Sequence, residues 1–214
     1  MEEIKIIYSD EAIVVCVKPA GVPCESANEK VKSLGDILCE QLKVPYVGMV
    51  HRLDQVTEGL IVYSLSPKYT GKLCELIASG EAKKEYLAVV HGMPVPSIGE
   101  MRDLLFRDPR KNKSFVVDRQ RRGVKEALLE YETLDTKVGL SLVRIRLHTG
   151  RTHQIRVQFS SRGMPLFGDG KYGAKDNAPV ALLSYKLSFP HPKTKKPLEF
   201  SLDKPSDSPW DKFD

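Results

Sequence analysis

Four short segments of this chain gather side chains suited to chemistry rather than to a core. The first is His51-Arg52-Leu53-Asp54-Gln55-Val56-Thr57-Glu58-Gly59. A His, an Arg and an Asp within four residues of a connection have no packing reason to be there, and loops are where binding and catalytic groups are carried. An Arg–Asp pair that merely staples the loop is the structural alternative. The second, His148-Thr149-Gly150-Arg151-Thr152-His153-Gln154-Ile155-Arg156, runs from a strand through a glycine turn into a helix start. Free amides at such a start attract phosphate or carboxylate. Arg156, four positions after Thr152, shares its face. His148 and His153 are five apart, which is not the i,i+4 spacing of a helical metal pair.

The third segment, Lys84-Glu85-Tyr86-Leu87-Ala88-Val89-Val90-His91, is a strand with one aromatic among aliphatics, and by itself reads as core. The fourth, Gly168-Asp169-Gly170-Lys171-Tyr172-Gly173, spells Gly-x-Gly-x-x-Gly. No apolar strand precedes it and no helix follows it, so it reads as a turn and not as a dinucleotide loop.

The elements that must position these segments are legible at coarse grain. Residues 4–9 and 12–19 read as a strand pair joined by an acidic turn, closed by Pro19 and Gly21. Ser33 and Asp36 have capping-box spacing before a helix at about 34–43. Gly59 to Leu65 reads as a strand, and Ser66-Pro67 opens a helix that stops at Gly80. Further strands are expected at about 84–91, 114–118, 126–134, 140–148, 181–189 and 197–202. One more helix is expected at 153–162, capped by Thr152 and ended by Gly163. Strands outnumber helices and do not alternate with them. The expected fold class is therefore α/β in the α+β sense: a mixed, largely antiparallel β-sheet with a few flanking helices, not a doubly wound one.

With 214 residues, 41% hydrophobic and 29% charged, the chain is long and apolar enough to build a core unaided. No run approaches the roughly 18 apolar residues needed to span a bilayer. Cys16, Cys24, Cys39 and Cys74 form no Cys-x-x-Cys pair, and the N-terminal sequence has no secretory pattern. A reducing cytoplasm and buried structural thiols are the expectation.

The net charge of +5 conceals its distribution. Between Arg107 and Lys125 eight basic residues face two acids, a local charge of +6. Arg144 to Arg156 adds four arginines and no acid, so the rest of the chain is net acidic. That asymmetry suggests a surface facing a polyanion, against the alternative of a solvated basic loop.

Taken in order, these segments resemble the RluA-type pseudouridine synthases. Val17-Lys18-Pro19-Ala20-Gly21 looks like that family's opening, and His51-Arg52-Leu53-Asp54 with Thr57 and Gly59 like its catalytic loop. Lys84 to Gly92 looks like its tyrosine strand, His148 to Arg156 like its arginine segment, Gly168-Asp169 with Tyr172-Gly173 like its turn, and Leu187 to Pro192 like its closing strand. Two departures stand out: Glu58 where the family usually has Ser, and no His near Leu183.

The resemblance implies the pseudouridine synthase catalytic fold, with residues 1–214 as a single catalytic domain and no N-terminal S4-like RNA-binding domain. It implies isomerisation of uridine in structured ribosomal or transfer RNA without a cofactor or metal. A monomer is the default expectation, with no protein partner and no membrane. Asp54 would be the catalytic carboxylate, as nucleophile at the anomeric carbon or base at the neighbouring ribose position. Arg156 would pair with it, and Tyr86 would pack on the flipped uracil. Arg52 would fill the space the base vacates. The wider substrate-binding set is expected to comprise His51, Arg151, His153, Gln154, Arg119, Arg121 and Arg122. Two other classes remain: an N-glycosidase, which would need a second carboxylate such as Glu58 or Asp169, and a non-catalytic RNA-binding module.

Overall fold

The computed structural model describes residues 3–26 and 31–214. In chain order the elements are β1 (Ile6–Ser9), β2 (Ile13–Lys18), α1 (Leu34–Leu42), β3 (Gly48–Met49), β4 (Glu58–Ser64), α2 (Pro67–Ser79), β5 (Lys83–His91), β6 (Ile98–Asp108), β7 (Lys113–Val117), β8 (Val124–Lys137), β9 (Leu140–Leu147), α3 (Gln154–Ser160), β10 (Leu182–Pro190) and β11 (Pro197–Ser201). They divide into two compact units, residues 1–84 with 184–203 and residues 85–183 with 204–214.

In the first unit β2 pairs antiparallel with β1 and β4, β3 with β4, and β10 with β11. Strands β2 and β4 are almost wholly buried, so they read as continuous apolar runs rather than as alternation. Leu73 and Leu76 of α2 pack onto Ile13, Val15, Leu60 and Val62. Both helix boundaries follow from capping chemistry. At α1 the Ser33 hydroxyl accepts the Asp36 N–H while the Asp36 carboxylate accepts the Ser33 N–H, the expected capping box. Pro67 opens α2 and Gly80 closes it in the left-handed region. Because α2 turns its Leu73 and Leu76 stripe inward, Cys74 faces out and is exposed; Cys39 is half-buried. The expectation of four buried thiols holds for Cys16 and Cys24 alone.

The second unit is an antiparallel sheet in the order β5-β9-β8-β6-β7. Helix α3 lies on it, with Val157 packed against Leu105, Ala127 and Tyr172. The sequence reading missed β6 and misplaced the start of α3. Thr152 does not cap that helix: its N-cap is His153, at φ 55° with no side-chain cap bond. The Gln154 carboxamide oxygen instead accepts the Arg151 N–H at 3.0 Å and the Thr149 hydroxyl at 2.8 Å, which fixes the entry to the helix. The Gly168–Gly173 segment is a turn, as its sequence context indicates, with a single 3-10 turn over Gly170–Tyr172. A Cβ at Gly168 would lie 2.0 Å from the Pro179 carbonyl oxygen, so only glycine fits.

Candidate active site

In the first unit the loop carrying Asp54 is tied down on every side. The Asp54 carbonyl accepts the Thr57 N–H at 3.0 Å, closing a turn, and Thr57 itself is buried. Beneath the turn lies Lys18, the last residue of β2 and fully buried. Its ammonium donates to three carbonyls: Pro19 at 2.9 Å, Val22 at 2.8 Å and Gln55 at 3.0 Å. The Gln55 carbonyl also accepts the Gly21 N–H at 2.8 Å, and the Gln55 side chain donates back to the Gly21 carbonyl at 2.8 Å. The exit from β2 and the residue after Asp54 are thereby sewn together. Burial pushes the Lys18 pKa down to about 8, against the opposing pull of the Asp54 and Glu58 carboxylates, so the ammonium is charged at neutral pH.

Two further ties act just before Asp54. The Cys24 sulfur accepts the Leu53 N–H and its thiol donates to the Leu53 carbonyl, both at 3.4 Å. His51 is half-buried, and its Nε2 accepts the Val62 N–H at 3.2 Å, which requires a neutral ring with its proton on Nδ1. Burial, helped by the Lys84 charge, pushes the His51 pKa down to about 3. Gly59 returns the chain into β4 at φ 119°, where a Cβ would sit 2.3 Å from the Ser184 carbonyl oxygen. Against this rigid frame Asp54 is half-exposed, Glu58 is exposed, and the exposed Arg52 pairs with Glu25 at 2.5 Å.

The second unit carries the remaining expected residues. Tyr86 of β5 stands opposite Ile145 of β9 and is buried. Arg156 of α3 is buried too. Its Nε donates to Asp169 Oδ2 at 2.6 Å and its Nη2 to Asp169 Oδ1 at 2.7 Å, a two-point pair that fixes the guanidinium plane. The same guanidinium lies 5.1 Å from the centroid of the Tyr172 ring. The Tyr172 hydroxyl accepts the Ser114 N–H at 2.9 Å and lies 2.9 Å from His153 Nδ1. His153 and Gln154 are both buried, His153 against Tyr172 and Gln154 against the turn before α3. Arg151 is half-buried and donates from Nε to the Glu126 carbonyl at 2.8 Å. Arg119, Arg121 and Arg122 are exposed on the β7–β8 connection.

Sequence reasoning singled out Asp54, Tyr86 and Arg156 as candidates and did not foresee the side chains bonded around Asp54 and Arg156. Lys18 closes an aliphatic strand with no sequence sign of its three carbonyl partners, and Cys24 carries no motif. Asp169, considered as a spare acid, is the partner of Arg156. Among the described residues no three His, Cys, Asp or Glu side chains gather to hold a metal ion, and no helix is long and apolar enough to cross a membrane.

Comparison with known proteins bears on this arrangement directly. The family profile described as RNA pseudouridylate synthase matches residues 12–161, taking in parts of both units. An uncharacterized RNA pseudouridine synthase of Aquifex aeolicus is 34% identical over 94% of this chain and 70% of its own length. A protein of Neisseria meningitidis named ribosomal large subunit pseudouridine synthase D is 32% identical over 94% of the chain, which spans 58% of that relative. Among solved structures, human RNA pseudouridylate synthase domain containing 1 superposes with a TM-score of 0.80 at 23% identity, over 94% of this chain and 84% of that one. At that identity the likeness shows the fold, a largely antiparallel pseudouridine synthase sheet with three helices.

Proposed function

The chain belongs to the RNA pseudouridylate synthase family, a family of isomerases, and on that premise we propose that it converts uridines of structured RNA into pseudouridine. Ribosomal RNA of the large subunit is the first substrate to test, because the Neisseria relative is named for it; transfer RNA is the second.

The reaction breaks the bond from the anomeric carbon to N1, turns the uracil, joins carbon 5 to the anomeric carbon and releases the carbon-5 proton, while N1 takes up a proton. Nothing is oxidised and no group is lost. In this reading Asp54 is the catalytic carboxylate, as nucleophile or as base. Arg156 serves the charge of Asp54, and Tyr86 lies against the displaced uracil. These roles come from the family resemblance. The observation that carries the reading is the loop itself: Lys18, Cys24, His51 and Gly59 all act to fix the backbone around one half-exposed carboxylate. A loop that only bound phosphate would need no such tethering, since phosphate contacts position a substrate without demanding a fixed reacting atom.

A glycosidase would need a second working carboxylate. Asp169 is committed to Arg156 and 1% exposed, which weighs against it in that part. One assay separates the classes. Cellular RNA carrying tritium at uridine carbon 5 is incubated with the protein, and label release and free uracil are followed together. Isomerisation releases tritium without uracil; hydrolysis releases uracil; a binding module releases neither.

A further inference from the structure

Phe106 of β6 stands directly opposite Phe115 of β7 in the antiparallel register. Side chains alternate across a pleated strand, so Phe106 and Phe115 share one face and Leu105 turns to the other. Leu105 faces the core, packed with Ala127, Val157 and Tyr172. The two phenylalanines therefore sit on the side away from that core, adjacent and both half-buried. Cations lie near both rings. The Arg121 guanidinium lies 5.1 Å from the Phe106 centroid, and the Lys111 and Lys113 ammoniums lie 5.9 and 5.8 Å from that of Phe115.

The two acids of this stretch do little to neutralise the charge. Asp108 accepts the backbone N–H groups of Arg110 and Lys111 in the hairpin turn, and exposed Asp118 faces Arg119 at 3.8 Å. The hairpin is also rigid. Lys113 donates to the Lys171 carbonyl at 2.6 Å, Lys171 donates to the Asn112 carbonyl at 3.1 Å, and Ser114 is bonded to Tyr172. A flat apolar pair, ringed by positive charge and held still, has the composition of a base-stacking surface.

We propose that Phe106 and Phe115 form a platform on which unpaired bases of the RNA substrate stack. Arg121 and Lys111, which cover the rings in the free protein, move to the flanking phosphates as the bases take their place. Bases within a duplex have both faces occupied, so the platform selects loops and strand ends over helices, and it tolerates any base because each has a π-face. The proposal rests on the isomerase reading for the identity of its ligand as RNA. It deepens that reading by naming which part of the RNA the basic segment holds.

The test measures binding of a single-stranded oligocytidylate and of an RNA duplex of equal length, by fluorescence anisotropy across a salt series. Lacking uridine, the oligocytidylate cannot be turned over. The double variant Phe106→Leu/Phe115→Leu keeps apolar volume and removes both rings. It is expected to lose about tenfold or more in single-strand affinity at an unchanged salt slope, with duplex affinity little altered, while Phe106→Tyr/Phe115→Tyr binds like the parent. Equal single-strand affinity in the leucine variant, or equal losses for strand and duplex, overturns the platform.

Should the leucine variant melt early, the wild-type protein decides: the ring protons of Phe106 and Phe115 shift upfield in NMR spectra as oligocytidylate is added, and unmoved resonances overturn the proposal. Tritium release by the wild type, measured in parallel, tests the isomerase reading separately. Release with no effect of the leucine pair overturns only the platform. A working platform with no release overturns only the isomerase.

Discussion

Lys18 donates all three ammonium protons to backbone carbonyls around the Asp54 loop, and few side chains could replace it. Lys18→Met keeps the length but leaves the Pro19 and Val22 carbonyls without that donor, at about 1–3 kcal/mol for each one left unsatisfied, while the Gln55 carbonyl keeps the Gly21 N–H. Denaturant melts are expected to show a loss of about 2 kcal/mol or more, and tritium release assayed well below the melting midpoint should fall further than the folded fraction accounts for. His51 adds a pH dependence. Its folded pKa, about 3, lies below the ordinary value of 6.5, so on acidification the unfolded chain takes up the proton first. The stability it contributes is complete above pH 6.5 and is lost as the pH falls toward 3. Thermal melts between pH 7 and pH 4 should therefore show a steeper decline for the wild type than for His51→Gln, which keeps an acceptor without titrating. His51, Arg52 and Asp54 could be picked out as candidates because three such polar side chains crowd one short connection. Lys18 and Cys24 could not, because their roles lie in which carbonyls and amides the fold brings to them.

At the scale of elements, helices α1 and α2 could be read because their ends carry local chemistry: the Ser33–Asp36 box, Pro67 and Gly80. Strand β6 could not. Its inward positions include Met101 and Leu105, but the one between them is Asp103, which accepts from the Gln158 side chain at 2.6 Å and from Arg162 at 2.9 Å. Leu104 and Phe106 stand on the other face, so alternation is erased in the sequence and exists only once α3 supplies partners for the acid. The start of α3 was hidden in the same way, since no propensity announces a histidine in the left-handed region. The hairpin of β6 and β7 hangs on Tyr172, and Tyr172→Phe removes the acceptor of the buried Ser114 N–H. A loss of about 1–3 kcal/mol is expected, together with faster hydrogen exchange at the Ser114 amide. An unchanged exchange rate would mean that the strand pairing alone holds the hairpin.

Over the whole molecule the charge asymmetry was fully legible, because it needs only counting, and the ordered motifs carried the family with it. The division into two units was not, since no linker or change of composition marks it. Arg119, Arg121 and Arg122 are exposed on one short connection. Reversing all three to Glu should weaken RNA binding and flatten the slope of log affinity against log salt by about 0.7 for each phosphate that is no longer neutralised. An unchanged slope would leave them as ordinary solvated charges. The central claim is that uridine is isomerised through the carboxylate of Asp54. The most direct test is Asp54→Asn in the carbon-5 tritium assay, with melting and RNA affinity measured on the same preparation. No release above the blank, from a protein that folds and binds RNA like the parent, is the predicted result; full release would contradict the account.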